Sequence, residues 1–167
     1  GAYTAHIGAR ENTPGGVSLF EVYDADTGVD SSIRLVNTAV RASDGVAGDA
    51  SVVIPGVVVG EGAIKTVLIR AAGPGLERQG VPGFLARPVL TLFAGGEAFL
   101  SNAGWSSSAD AAEIAAVAEV VGAFPLRDTD ADSALLARLS PGVYTLQVAS
   151  ADETPGIALV EVYEVPE

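Results

Sequence analysis

The chain has 167 residues, of which 49% are apolar and 18% charged, so it can bury a core and is not intrinsically disordered. Its formal net charge of −12, with only nine Lys and Arg residues, excludes two classes of protein. They are proteins that bind nucleic-acid phosphates through clustered basic residues and proteins that attach to a membrane surface through such residues. The chain has no cysteine, which also excludes disulfides and thiolate metal sites.

Alternation of apolar and polar residues predicts strands along most of the chain. Residues 2–8 and 17–23 predict two strands joined by a loop that contains Thr-Pro-Gly-Gly, and residues 109–121 have the apolar spacing of one short helix. Residues 76–88 are rich in Gly and Pro and predict an ordered loop. Further strands are predicted at 33–40, 52–59, 65–71, 89–93, 98–100 and 135–139, with a closing hairpin at 142–164. The expected fold is all-β, a β-sandwich or jelly roll with one helix.

The first stretch of the chain repeats the last one. Ten of residues 1–23 are identical to their counterparts in 142–163 when one extra glycine, Gly16, is allowed. The repeat unit of about 140 residues is the size of a domain rather than of a solenoid repeat. We therefore expect residues 1–26 to be an extra N-terminal β-hairpin that duplicates the C-terminal one, and residues 27–167 to be the sandwich.

An isolated two-stranded hairpin is at best marginally stable in water, so residues 1–24 are expected to dock on another module. In a tandem array that module precedes them in the same chain, and in a self-assembling protein it is a neighbouring copy. The sequence leaves both possibilities open. The apolar and aromatic residues expected to make this contact are Tyr3, Ile7, Val17, Leu19, Val22 and Tyr23.

Three carboxylates alternate at Asp128, Asp130 and Asp132, as in loops that bind calcium. An EF-hand loop would continue with Gly and then Glu, whereas this chain has Ser133 and Leu139 at those positions. The pattern therefore predicts either a calcium site of another type, with calcium as the possible cofactor, or a solvated acidic loop.

The sequence has few residues that match a catalytic site. His6 is the only histidine, and it lies in the N-terminal fragment. A catalytic site that pairs a nucleophile with a histidine would therefore have to use His6 as its general base. Glu161 lies between apolar residues of a predicted strand and needs a partner; the expected one is Arg70. Trp105 and Tyr144 are either core aromatics or a platform for a sugar. We expect no enzymatic activity.

Several segments together resemble a known family: Arg34-Leu-Val-Asn, Lys65-Thr-Val-Leu-Ile-Arg-Ala-Ala-Gly-Pro, Pro88-Val-Leu-Thr-Leu-Phe, Ser101-Asn-Ala-Gly-Trp, Gly122-Ala-Phe-Pro-Leu and Pro141-Gly-Val-Tyr-Thr. They are similar to uncharacterised tandem-repeat β-sandwich domains of large bacterial secreted and cell-surface proteins. The second half is more loosely similar to the bacterial pre-peptidase C-terminal domain. Ala103 stands where the family often has an acid, so a cation site that uses that acid is not expected here.

The resemblance implies an extracellular, non-catalytic module. The first residue is Gly rather than Met, which favours a processed or excised chain and hence an extracellular or cell-surface location. The expected function is that of a structural protein, a subunit of a filament or stalk that is joined head-to-tail to copies of itself or to adjacent repeats. The alternative is a module that binds carbohydrate or a surface, with calcium as a possible support. Neither nucleic acid nor membrane insertion is expected.

Overall fold

The computed structural model describes residues 2–7, 20–22, 36–43, 54–62 and 64–166, and the chain divides into two units, Gly1–Leu35 and Val36–Glu167. In the second unit the described residues form eight strands. They are β1 (Asn37–Ser43), β2 (Gly56–Val59), β3 (Lys65–Ala72), β4 (Pro88–Ala94), β5 (Glu97–Asn102), β6 (Ser133–Leu139), β7 (Gly142–Ser150) and β8 (Ile157–Glu164).

The strands form two antiparallel sheets of four. Sheet A has the order β1-β8-β3-β6 and sheet B the order β2-β7-β4-β5. Apolar residues that alternate along both sheets meet between them, as Ile69 of β3, Leu92 of β4 and Leu146 of β7 do. The predicted all-β sandwich is confirmed.

The helix covers the outer face of sheet A. Helix α1 (Ala111–Val120) packs through Ile114 on a second apolar cluster that includes Leu68 of β3 and Tyr163 of β8. Side chains of β3 point alternately to the two clusters, since successive residues of a strand face opposite sides. β3 is therefore covered on both faces, which explains its nearly continuous apolar sequence.

The prediction of a closing hairpin is wrong. β7 pairs with β2 and β4 in sheet B, whereas β8 pairs with β1 and β3 in sheet A, so residues 151–156 cross from one sheet to the other. Each of the two strands lies in the middle of its sheet. Alternation shows which side of a strand is buried, and it is the same for a hairpin and for two strands that face each other across a sandwich.

The predicted loop at 76–88 begins with helical structure. A 3₁₀ helix spans Pro74–Gln79, because proline is favoured in the first turn of a helix, and it ends at Gly80 with φ of 73°. A second 3₁₀ helix covers Trp105–Ser107. Beyond the end of β3, Phe84 bridges to Ile157, so this loop lies against the beginning of β8.

The first unit is described only at residues 2–7 and 20–22, and neither segment is a strand. The rest of the predicted N-terminal hairpin, and residues 33–35 of the strand predicted at 33–40, lie outside the described residues. Among the described residues, no helix is both long and apolar enough to cross a membrane.

Candidate functional site: interior polar contacts and assembly surfaces

The predicted Arg70–Glu161 pair is brought together in the centre of sheet A. The two residues are direct partners in the β3–β8 register, and Arg70 Nη2 lies 2.8 Å from Glu161 Oε2. Both side chains are buried. The contact is an ion pair by distance, but the two atoms do not form an aligned hydrogen bond.

Neighbouring groups hold the two charges in place. Tyr163 Oη donates to Glu161 Oε1 over 2.8 Å, and Arg70 Nη1 donates to the carbonyl oxygen of Phe124 over 2.6 Å. The guanidinium carbon lies 4.3 Å from the centre of the Phe124 ring, which adds a cation–π contact. Burial, the negative charge of Glu161 and the hydrogen bond to it raise the pKa of Tyr163 to about 12. Both charges are therefore removed from solvent and are held by contacts inside the sandwich.

The carboxylate of Asp132 is bound by backbone N–H groups inside the protein. Its Oδ1 accepts hydrogen bonds from the backbone N–H groups of Gly73, over 2.8 Å, and Gly75, over 3.0 Å. The side chain is fully buried, and this burial raises the pKa of Asp132, although the two N–H donors oppose the shift. A Cβ on Gly73 would lie 1.9 Å from the carbonyl oxygen of Leu85, so glycine is required there. Asp132 therefore fixes the turn that follows β3.

The structure does not assemble the three predicted metal ligands. Asp130 Oδ2 lies 3.8 Å from Arg78 Nη2, while the side chain of Asp132 is buried inside the protein. In the described part of the chain, no group of three or more His, Cys, Asp or Glu side chains could hold a metal ion. Of the three alternating acids, Asp132 is thus an interior carboxylate, while Asp130 lies near Arg78.

Of the two interpretations of Trp105 and Tyr144, the structure favours core aromatics, because both residues are buried. Trp105 belongs to the cluster under α1, and its indole N–H donates to the carbonyl oxygen of Arg127 over 3.3 Å. Tyr144 belongs to the core between the sheets and donates its hydroxyl proton to the carbonyl oxygen of Ser140. Neither ring forms an exposed platform on the surface of the sandwich.

A cavity of about 240 Å³ lies beside α1 and is lined mainly by apolar side chains, including Trp105, Ile114, Ala118 and Leu126. Arg70 also lines it, but Glu161 already balances the charge of Arg70. Cavities for drug-sized ligands usually measure roughly 300–1,000 Å³. We therefore assign no ligand to this cavity.

The outer face of sheet B is uncharged and has no helix packed on it in the described residues. Its four strands contain a single charged residue, Glu97, at the beginning of β5. Val58 of β2 and Val143 of β7 are register partners on this face, and both are largely exposed. Phe99 is exposed on the edge strand β5. This face is a candidate contact surface.

The described assembly residues of the first unit are exposed. Tyr3, Ile7 and Val22 are each more than half exposed, and so is the neighbouring Phe20. His6 is exposed as well. The other three predicted assembly residues, Val17, Leu19 and Tyr23, lie outside the described residues.

Comparison with protein-family models, with curated proteins and with solved structures finds no match for this chain. The resemblance to tandem-repeat domains of secreted proteins therefore stays a prediction.

Proposed function

We propose that the protein is a structural module of an extracellular filament or stalk, in which residues 1–23 join each module head-to-tail to another. The observation that supports this most is the repeat of β7 and β8 at the beginning of the chain. A segment with the sequence of inner strands has no partner strands when it stands alone in water, and its described large apolar residues, Tyr3, Ile7, Phe20 and Val22, are exposed. Joining each segment to a further module produces a linear assembly.

The proposal is tested on two preparations by electron microscopy and light scattering: the full chain and a chain that lacks residues 1–24. Filaments, or a mass that grows with concentration, only in the full chain would support joining between separate copies. A third preparation carries a second copy of residues 24–141 fused in front of Gly1, so that Gly1 follows Pro141 as Gly142 does. Particles with two folded lobes would support joining within one chain. The proposal fails if no preparation associates and the fused chain has one folded lobe.

A second candidate function, a module that binds carbohydrate or another surface, is favoured by the uncharged outer face of sheet B. Its test is sedimentation with insoluble polysaccharides and with bacterial cell walls. The variant Gln147→Lys changes the middle of this face, and Glu113→Lys on α1 is the matched control. Binding that only the first substitution weakens would support this function. Tryptophan fluorescence is unsuitable as the readout, because Trp105 is buried.

A further inference from the structure

The exposed apolar residues of the first segment align with interior positions of the sandwich. Under the repeat alignment, residues 1–7 correspond to 142–148 in β7 and residues 17–23 to 157–163 in β8. The counterparts are Tyr3 (95% exposed) with Tyr144 (9%), Ile7 (56%) with Val148 (2%), Phe20 (52%) with Val160 (1%), and Val22 (51%) with Val162, which packs on the same core.

The residues that are identical in the two copies include those with special roles in the sandwich. Glu21 corresponds to Glu161, the partner of Arg70. Gly15 corresponds to Gly156, where a Cβ would lie 2.5 Å from the backbone of Leu85. The first copy thus keeps the glycine that a close backbone contact requires and the acid that pairs with a buried arginine. This indicates that both copies pack in the same environment inside a sandwich.

We propose that residues 1–23 occupy the β7 and β8 positions in the middle of both sheets of another sandwich, rather than adding to a sheet edge. The partner is a module that precedes residues 1–23, with first six strands like those of this chain and no β7 and β8 of its own. In the sandwich described here these two positions are filled by Gly142–Ser150 and Ile157–Glu164, so a separate copy accepts the segment only if it releases its own two strands. Residues 1–7 would lie between strands equivalent to β2 and β4, and residues 17–23 between those equivalent to β1 and β3. Glu21 would face the equivalent of Arg70. This inference rests on the proposed function and specifies its contact.

Docking on an edge does not explain the sequence of the segment. A hairpin that extends one sheet has both of its strands in that sheet, whereas β7 and β8 belong to different sheets. A carboxylate between apolar neighbours on a buried face is costly unless a cation lies opposite, and Arg70 supplies that cation in the β8 position.

The sizes of the core residues indicate that both strands of the segment enter the same core together. Ala5 replaces the fully buried Leu146, while Phe20 replaces the fully buried Val160, and both positions belong to the same core cluster. One exchange removes volume and the other adds it, so together they keep the core volume closer to its original value than either does alone.

The test grafts the segment into the full chain. One variant replaces residues 142–163 with the sequence of residues 1–23, and two half-grafts replace only 142–148 with 1–7 or only 157–163 with 17–23. The full graft is expected to unfold in one cooperative step, at a higher temperature than the less stable half-graft. The same full graft with Glu21→Gln within the grafted segment should melt at a lower temperature, as is also expected for Glu161→Gln in the natural chain.

Absence of cooperative unfolding in the full graft would overturn the inference. A melting temperature below that of both half-grafts would do the same, and so would a grafted Glu21→Gln without effect. The association of separate copies is a readout that the graft does not share. A stable graft combined with a full chain that stays monomeric at every concentration would refute joining between separate copies and leave the fit of the segment intact. An unfolded graft together with filaments of the full chain would refute the fit alone.

Discussion

Substituting Glu161 should destabilise the sandwich far more than substituting an equally close partner on the same two strands. Glu161→Gln keeps the shape of the side chain but leaves the buried guanidinium of Arg70 without a counter-charge. Removing one partner of a buried ion pair costs about 3–5 kcal/mol, and a domain of this size loses roughly 3 °C of melting temperature per kcal/mol. The expected decrease in melting temperature is therefore about 10–15 °C.

The control is the Lys65–Glu164 pair, which also joins β3 to β8 at 2.8 Å but has side chains that are 36% and 20% exposed. Glu164→Gln should cost less than about 1 kcal/mol, because solvent screens the charges of partly exposed pairs. The assay is thermal and urea unfolding followed by far-UV circular dichroism at pH 7. An equal decrease in the free energy of unfolding for Glu161→Gln and Glu164→Gln would refute the reasoning. The contribution of each ion pair would then depend on its distance and not on its burial.

Replacing both buried charges tests whether the loss of stability in Glu161→Gln comes from the unpaired charge of Arg70. The double variant Arg70→Met with Glu161→Gln has no unpaired charge in the cluster. It should be more stable than Glu161→Gln alone, because a buried ion pair can be replaced by neutral groups at little net cost. A double variant that loses the sum of the two single losses would show that the charges do not act on each other.

Three further predictions concern other contacts of the sandwich. Asp132→Ala leaves two buried N–H groups without an acceptor and should cost about 2–4 kcal/mol, with Asp132→Asn milder and neither effect changed by calcium in urea unfolding. Gly156→Ala should cost at least about 1–3 kcal/mol because its Cβ would meet the Leu85 backbone, whereas Gly60→Ala, with no atom within 4 Å, should be nearly neutral in thermal melts. The pKa of Tyr163 is raised from 10.0 to about 12, so the folded state holds this proton more tightly than the unfolded state. Stability should consequently be intact below pH 10 and fall between pH 10 and 12, a decrease that Tyr163→Phe should reduce in pH-dependent unfolding; an unchanged slope would contradict the assignment.

The sequence predicts the two-sheet fold well because its main signal, alternation, depends on burial of one strand face. It also predicts the Arg70–Glu161 pair, since a carboxylate among apolar strand residues requires a cation and only one arginine lies in the most apolar strand. The same signal fails for β7 and β8. Alternation does not depend on which sheet a strand joins, and the Thr-Pro-Gly connection is compatible with a tight turn and with a crossing between sheets.

The interior role of Asp132 could not be predicted from its spacing. Asp128 and Asp130 stand at the same interval and have the same chemistry, yet only Asp132 reaches the N–H groups that follow β3. The nearest signal in the sequence is the Gly73-Pro-Gly75 turn, where glycines permit a close backbone approach but do not identify the acceptor. The contact joins residues 57 to 59 positions apart, which local patterns do not determine.

The order of the strands explains how a sandwich of this kind can serve as a link. β7 and β8 are the last strands in the sequence, yet each lies in the middle of a sheet, so both sheets depend on the C-terminal part of the chain. When those two strands come from the beginning of the following module, the preceding module is not complete without them. Residues 24–36, at most about 45 Å long when extended, then connect the borrowed strands to β1 of their own sandwich. Pulling such modules apart requires both sheets to open, which is a stronger join than a strand added at an edge.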